Sequence, residues 1–204
     1  MPLQIYSSAL VFTPQRSIVR GIFQSEIPKR ISLLQAAELD WSQCLQTLEG
    51  YGRSVNYIDF SPNSALVVSA SDDGIVRIWR VDTGDCTQEL SGHSSSVNSV
   101  VFSPNAALVG SASDDMTVRI WRADTGICVQ ILNGHSSWVN SVSFSPNSTL
   151  ITSASHDNTV RIWRADTGMY VQTLQGHSSW INSVSFSPDS TLIVSASHNN
   201  IVRI

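Results

Sequence analysis

Charge is scarce in this 204-residue chain: Asp, Glu, Lys and Arg together make up 14 % of it, and the balance is −4. Without a basic excess there is no electrostatic footprint for phosphates or anionic lipid, so nucleic acid is not an expected partner. Long hydrophobic runs are missing as well. The longest apolar stretches, such as Leu66-Val67-Val68, are strand-sized, which argues against a spanning helix and direct membrane insertion. The opening Met1-Pro2-Leu3-Gln4-Ile5-Tyr6 lacks a basic segment followed by an uninterrupted apolar one and does not read as a secretory signal. No Walker A phosphate loop occurs, and no window after Trp41 carries a convincing 3.6-residue apolar period. Cysteines number three, at Cys44, Cys86 and Cys128. Their even spacing puts them in equivalent places on separate units, which disfavours a disulfide or metal framework and reads as reduced, buried thiols in a cytoplasmic protein. What remains is 42 % hydrophobic, too apolar for disorder and long enough to bury one sizeable core.

The positive signal is a repeat. Trp79, Trp121 and Trp163 stand 42 residues apart, as do Gly92-His93, Gly134-His135 and Gly176-His177. Phe60-Ser61-Pro62, Phe102-Ser103-Pro104, Phe144-Ser145-Pro146 and Phe186-Ser187-Pro188 keep the same step. Within one unit the pattern predicts four short strands: Cys86 to Leu90, Val97 to Phe102, Leu108 to Ser113 and Val118 to Trp121, separated by Gly, Pro, Asn and Asp turns. Counted from the cysteine strand, the units run 44–85, 86–127, 128–169 and 170–204, the last truncated, behind an extension over 1–43 in which Ser17 to Phe23 is compatible with a short helix.

Four-strand units of this length with Gly-His and Trp signatures resemble the WD40 family of β-propellers, over Cys44 to Ile204. The resemblance implies an all-β fold: an incomplete arc of four four-stranded blades, with a short, partly helical N-terminal extension. One departure is plain. Arg80, Arg122 and Arg164 follow the tryptophans where the family usually has Asp, and the acid returns two residues later as Asp82, Asp124 and Asp166. Because rings of this family usually need about seven blades to close, four imply a fragment and an open arc whose end faces invite self-association. Ser8-Ala9-Leu10-Val11-Phe12-Thr13-Pro14, followed by the segment from Asp40-Trp41 to Gly50, is similar to the entry into the repeats of fungal NLR-type, vegetative-incompatibility proteins, in which a C-terminal WD40 region acts as sensor. The function expected from these resemblances is a protein-interaction scaffold that binds proteins or peptides, needs no cofactor and performs no catalysis. An adaptor for a ubiquitin ligase or an organelle-fission machine, and a non-functional gene fragment, are the alternatives.

The resemblance also implies a buried polar chain linking the inner tryptophan, a serine or threonine on the neighbouring strand, the histidine of the Gly-His turn and the aspartate of the strand-strand turn. Carried onto this chain it assigns His93, Ser113, Asp115 and Trp121 in one unit and His135, Ser155, Asp157 and Trp163 in the next. Ser111 and Ser153 share the same sheet face and are open alternatives. Tyr51 replaces the histidine in the first unit and Asn199 the aspartate in the fourth, so these two are expected to be the least rigid. The triplets Asp82-Thr83-Gly84, Asp124-Thr125-Gly126 and Asp166-Thr167-Gly168 match the aspartic-protease motif, but copies on successive units do not converge as a shared-proton pair must. They read as turns. His156 and His198 occupy equivalent slots without a third ligand and make a poor metal site.

Recognition is expected where the repeats differ over a constant scaffold. The slot before the first inner strand holds Ser54, Ser96, Trp138 and Trp180, and the slot two residues on holds Asn56, Asn98, Asn140 and Asn182. The slot before the turn aspartate holds Asp72, Asp114, His156 and His198. Trp138, Asn140, His156, Trp180, Asn182 and His198 therefore form the candidate partner-binding rim, unless the tryptophans only cover the sheet beneath them.

Overall fold

The computed structural model describes residues 46–204. Expectations about the extension and Trp41 lie outside the described residues, as does the start of the strand expected from Cys44, whose described part, 46–48, is not a strand.

The described chain is all-β. Strands β1 (Val55–Phe60), β2 (Leu66–Ser71), β3 (Val76–Arg80) and β4 (Cys86–Leu90) form the first antiparallel sheet in that order. β5 (Val97–Phe102), β6 (Leu108–Ser113), β7 (Val118–Arg122) and β8 (Cys128–Leu132) form the second, and β9 (Val139–Phe144), β10 (Leu150–Ser155), β11 (Val160–Arg164) and β12 (Tyr170–Leu174) the third. β13 (Ile181–Phe186), β14 (Ile193–Ser197) and β15 (Val202–Arg203) make a fourth sheet of three strands. The inner strands β1, β5, β9 and β13 lie against one another in sequence, so the sheets succeed each other as an open arc of propeller blades.

The phase of the repeat differs from the expected one. Each cysteine or tyrosine strand closes the preceding sheet instead of opening the next: Trp79 pairs across to Cys86, Trp121 to Cys128 and Trp163 to Tyr170. The cause is loop length. Asp82-Thr83-Gly84 is a short turn that returns β4 beside β3, with Gly84 at φ 76° and its N–H donated to Arg80 O. The longer stretch 91–96 carries the chain across to the next sheet. This places the cysteines on outer edge strands, so Cys86 is exposed and Cys128 half-buried, against the expectation of buried thiols.

The core lies between sheets, not within one. Val68, Ile78 and Leu90 of the first sheet interlock with Val97, Val100, Phe102 and Trp121 of the second, and Ile120 and Leu132 with Val142, Phe144 and Trp163 of the third. Ala154 and Val160 meet Ile181 and Val184 in the same way. A sheet covered on both faces needs apolar residues on both, which is why β7 buries three of its five residues so thoroughly despite Arg119 between two of them. Gly110 shows how tight the fit is: a Cβ there would stand 2.7 Å from Ile151 Cδ1 of the next sheet. Where a neighbouring sheet is lacking among the described residues, the same slot is wet. Ile58 is 61 % exposed, whereas Val100 and Val142 in its position are 0 % and 2 %.

Candidate functional site

Each inner strand carries a bulge at its asparagine. Val97 pairs with Ser113 and Ser99 with Ala112, leaving Asn98 without a place in the ladder, and Asn140 is skipped in the same manner in β9. The bulge turns the side chain out of the sheet. Asn56, Asn98 and Asn140 each donate from Nδ2 to the first backbone carbonyl of the next inner strand, Val97, Val139 and Ile181, at 3.0, 3.0 and 2.8 Å. Asn140 is therefore a half-buried link between blades, and Asn182 is exposed.

Just before these strands the chain forms the rim. Trp138 O accepts from His156 N and Trp180 O from His198 N, both at 2.9 Å, which fixes each tryptophan beside the histidine of its own blade. The side chains then continue from blade to blade. Trp138 and His156 have ring centroids 5.2 Å apart, His156 and Trp180 stack at 4.5 Å with planes 5° from parallel, and Trp180 and His198 follow at 5.5 Å. Four rings thus make one ladder, with the indoles half exposed: Trp138 50 % and Trp180 49 %. The two indoles do not meet directly, because the imidazole of His156 stands between them.

On the other half of the rim the ladder is replaced by acids. Asn98 Nδ2 holds Asp114 Oδ1 at 2.6 Å and Asn56 Nδ2 holds Asp72 Oδ1 at 2.7 Å.

Beneath the rim runs a polar relay. A carboxylate only accepts, so His93 Nδ1 must donate to Asp115 Oδ2 (2.8 Å); Nε2 then accepts from Ser111 Oγ (2.8 Å), whose oxygen accepts from Trp121 Nε1 (2.9 Å). The third blade repeats this through Asp157, His135, Ser153 and Trp163 at 2.7, 2.8 and 3.2 Å. The middle hydroxyls are Ser111 and Ser153, which corrects the assignment of Ser113 and Ser155. Trp121 pairs with Val109, and its ring leans along the sheet to Ser111; Ser113 lies beyond, opposite the turn. There Ser113 Oγ donates to Ser95 O at 3.3 Å and accepts from Asp115 N at 3.0 Å, as Ser155 does with Ser137 O and Asp157 N. Thr117 and Thr159 also belong to the relay, each donating Oγ1 to the aspartate at 2.7 Å. Their fixed place two residues after the aspartate was the available sign. Burial alone would raise the Asp115 and Asp157 carboxyls, but the bonds from histidine and threonine outweigh it and hold both well below the usual carboxylate range.

The two terminal blades depart from this relay in different ways. In the first, the Tyr51 hydroxyl reaches Ser69 Oγ at 2.6 Å, Trp79 Nε1 reaches the same oxygen at 2.8 Å, and Asp73 turns to Arg77 Nη1 at 2.8 Å. The chain is rewired. In the fourth, His177 Nε2 keeps Ser195 Oγ at 2.9 Å, but buried Nδ1 has no partner and Asn199 points to Ser178 Oγ.

Serine, histidine and aspartate linked in series also describe a hydrolase relay. Ser111 and Ser153 are fully buried, however, and a tryptophan already occupies each oxygen. The Asp-Thr-Gly aspartates lie on separate outer turns and form exposed pairs with the preceding arginines, at 3.1 Å for Arg122 and Asp124. No cluster of metal-binding side chains occurs among the described residues, nor a helix long and apolar enough to cross a membrane.

An open arc of antiparallel blades, stitched by Trp-Ser-His-Asp relays and bearing its variable residues on one rim, defines a propeller-type repeat domain. The chain belongs to the "WD domain, G-beta repeat" family, whose pattern matches residues 42–80, 84–122, 126–164 and 168–204. It is similar to the vegetative incompatibility protein HET-E-1 of Podospora anserina, with 47 % identity over 78 residues, which are 38 % of this chain and 6 % of that protein. The chain thus spans a small part of the relative's length, within the class of fungal proteins that the entry into the repeats resembles. Repeats of this family act as protein-protein interaction scaffolds.

Proposed function

We propose that this chain is the ligand-sensing repeat region of a fungal NLR-type protein: a cytoplasmic, non-catalytic scaffold that takes a peptide or protein segment on the Trp138–His156–Trp180–His198 rim. The observation that carries the reading is the ladder itself. Two indoles half open to solvent, joined through imidazoles into one surface across two blades, form a rigid aromatic anchor at little conformational cost on binding. The sister blades hold serine at the tryptophan slot, at Ser54 and Ser96, and keep the same strands and turns, so the scaffold does not call for the rings. The buried, occupied serines of the relays support the non-catalytic reading.

The test is a selection of a phage-displayed random 12-residue peptide library on the chain and on its Trp138→Ser/Trp180→Ser variant, with melting temperatures measured for both. Peptides retained by the first and lost by an equally stable second support the rim. No peptide that depends on the tryptophans, or a variant that fails to fold, returns both residues to the scaffold.

A further inference from the structure

The ladder ends against a carboxylate, and that junction has a definite chemistry. Along the rim the half-exposed groups run Asp72, Ser96, Asp114, Trp138, His156, Trp180, His198. Asp114 stands 24 residues before Trp138, as His156 stands 24 before Trp180. Their backbones are equally placed, Asp114 N on Ser96 O at 3.0 Å and His156 N on Trp138 O at 2.9 Å. Asp114 therefore occupies, toward the indole of Trp138, the place from which His156 stacks on Trp180. Its carboxylate is held there by Asn98, which also ties Val139 O at the start of the strand that Trp138 precedes. One oxygen, Oδ1, takes that bond; Oδ2 has no hydrogen-bond partner among the described residues. The other acid, Asp72, stands 24 residues before Ser96 instead of a tryptophan, so the equivalent place beside it offers no indole face.

We infer that the rim selects a partner segment bearing an arginine beside an apolar or aromatic residue, the guanidinium lying between Asp114 and the face of Trp138. This rests on the proposed use of the rim as the binding site. A carboxylate fixed in that slot and the face of the neighbouring indole are two sources of negative potential for one ligand group. A guanidinium answers both at once, through its planar donors to Oδ2 and its face to the ring, whereas an ammonium is a point charge that cannot do both equally well. The remaining rings, His156 and Trp180, then lie along the path of the next side chains, where an apolar neighbour covers them.

The experiment takes the peptides retained in the selection above, made synthetically, and titrates each onto the chain, onto its Asp114→Asn variant and onto the Trp138→Ser/Trp180→Ser variant by calorimetry. Asp114→Asn keeps the acceptor that Asn98 uses. Replacing the peptide's arginine by citrulline keeps its shape, removes its charge and leaves the protein untouched. The expected result is an arginine next to an apolar residue in the retained peptides, with about tenfold weaker binding on either change and little further loss on combining them. Binding should also weaken as salt is raised. Retained peptides without a basic residue, or tryptophan-dependent binding that Asp114→Asn and citrulline leave unchanged, overturn this inference and leave the rim as the site. Peptides indifferent to both tryptophans overturn the rim as well.

Discussion

The imidazole of His156 lies flat on the indole of Trp180, 4.5 Å between centroids with the planes 5° apart. His156 belongs to the turn between β10 and β11 and Trp180 to the approach to β13, so the stack joins two blades. His156→Ala should uncouple them. Both Trp138 and Trp180 touch this ring, and their indole N–H resonances should shift while that of buried Trp121 stays in place. The loss of stability should be small, about 0.5–1.5 kcal/mol for an aromatic contact. Unshifted Trp138 and Trp180 signals would show that the ladder does not form in solution.

Ser111→Ala should cost more than its position in a small-residue strand suggests. It leaves His93 Nε2 and Trp121 Nε1 buried with no partner, a penalty of roughly 2–4 kcal/mol. Ser113→Ala also destabilises, by removing the bonds to Ser95 and Asp115, but it leaves the Trp121 indole N–H where it was. Thermal melts paired with the indole spectrum separate the two. A Trp121 signal that responds to Ser113→Ala and not to Ser111→Ala would restore the original assignment.

This pair of serines shows how far the sequence could be read. The 42-residue step revealed the blades and their turns, because every unit repeats the same apolar and Gly/Pro punctuation. A period has no starting point, however, and only the shortness of the 82–84 turn against the 91–96 crossing says which sheet owns Cys86. Ser111 and Ser113 project from one face of one strand, and the choice between them depends on the lean of the Trp121 ring. The rim slots were visible by comparing repeats. That the histidine of one blade intercalates between the tryptophans of two depends on how neighbouring sheets pack, which alignment of the repeats does not contain.

Acid should weaken the relays in a specific way. The Asp115 and Asp157 carboxyls lie below their ordinary value in the fold, so each stabilises it fully above the unfolded pKa of about 3.9, and that contribution is lost as pH falls further. The melting temperature should therefore drop between pH 6 and pH 3. Asp115→Asn/Asp157→Asn should start lower and drop less over the same interval. Parallel pH profiles for the variant and the parent would mean that these carboxylates do not carry the linkage.

Met116 sits at φ 67°, in a turn slot that holds Gly74, Asn158 and Asn200 in the sister blades. A left-handed conformation is costly for a side chain such as methionine and mild for asparagine, and the methionine gains little from burial, being 44 % exposed. Met116→Asn should stabilise the chain by about 0.5–1 kcal/mol, a rise of a few degrees in melting temperature. A fall would indicate that the methionine makes contacts worth more than the strain.

The fourth blade offers a repair. His177 keeps Ser195 on Nε2, but its buried Nδ1 lacks the acceptor that Asp115 and Asp157 provide elsewhere, because Asn199 stands in that slot and donates to Ser178. Burial and the nearby Arg203 depress the His177 pKa, and the neutral Asn199 side chain opposes them only in part. Asn199→Asp supplies a carboxylate for Nδ1–H, and its charge favours the protonated ring. The His177 pKa should rise, which is readable from its ring C–H resonances across pH 5–8. Stability at neutral pH should rise by about 1–2 kcal/mol for a charge-assisted bond replacing an orphaned donor. The reverse change in the third blade, Asp157→Asn, replaces one of two accepting oxygens by an NH2, so that either His135 or Thr159 loses its acceptor, and should lower stability by a similar amount. If Asn199→Asp moves neither the His177 titration nor the melt, the fourth blade does not hold its histidine in the same place as the others.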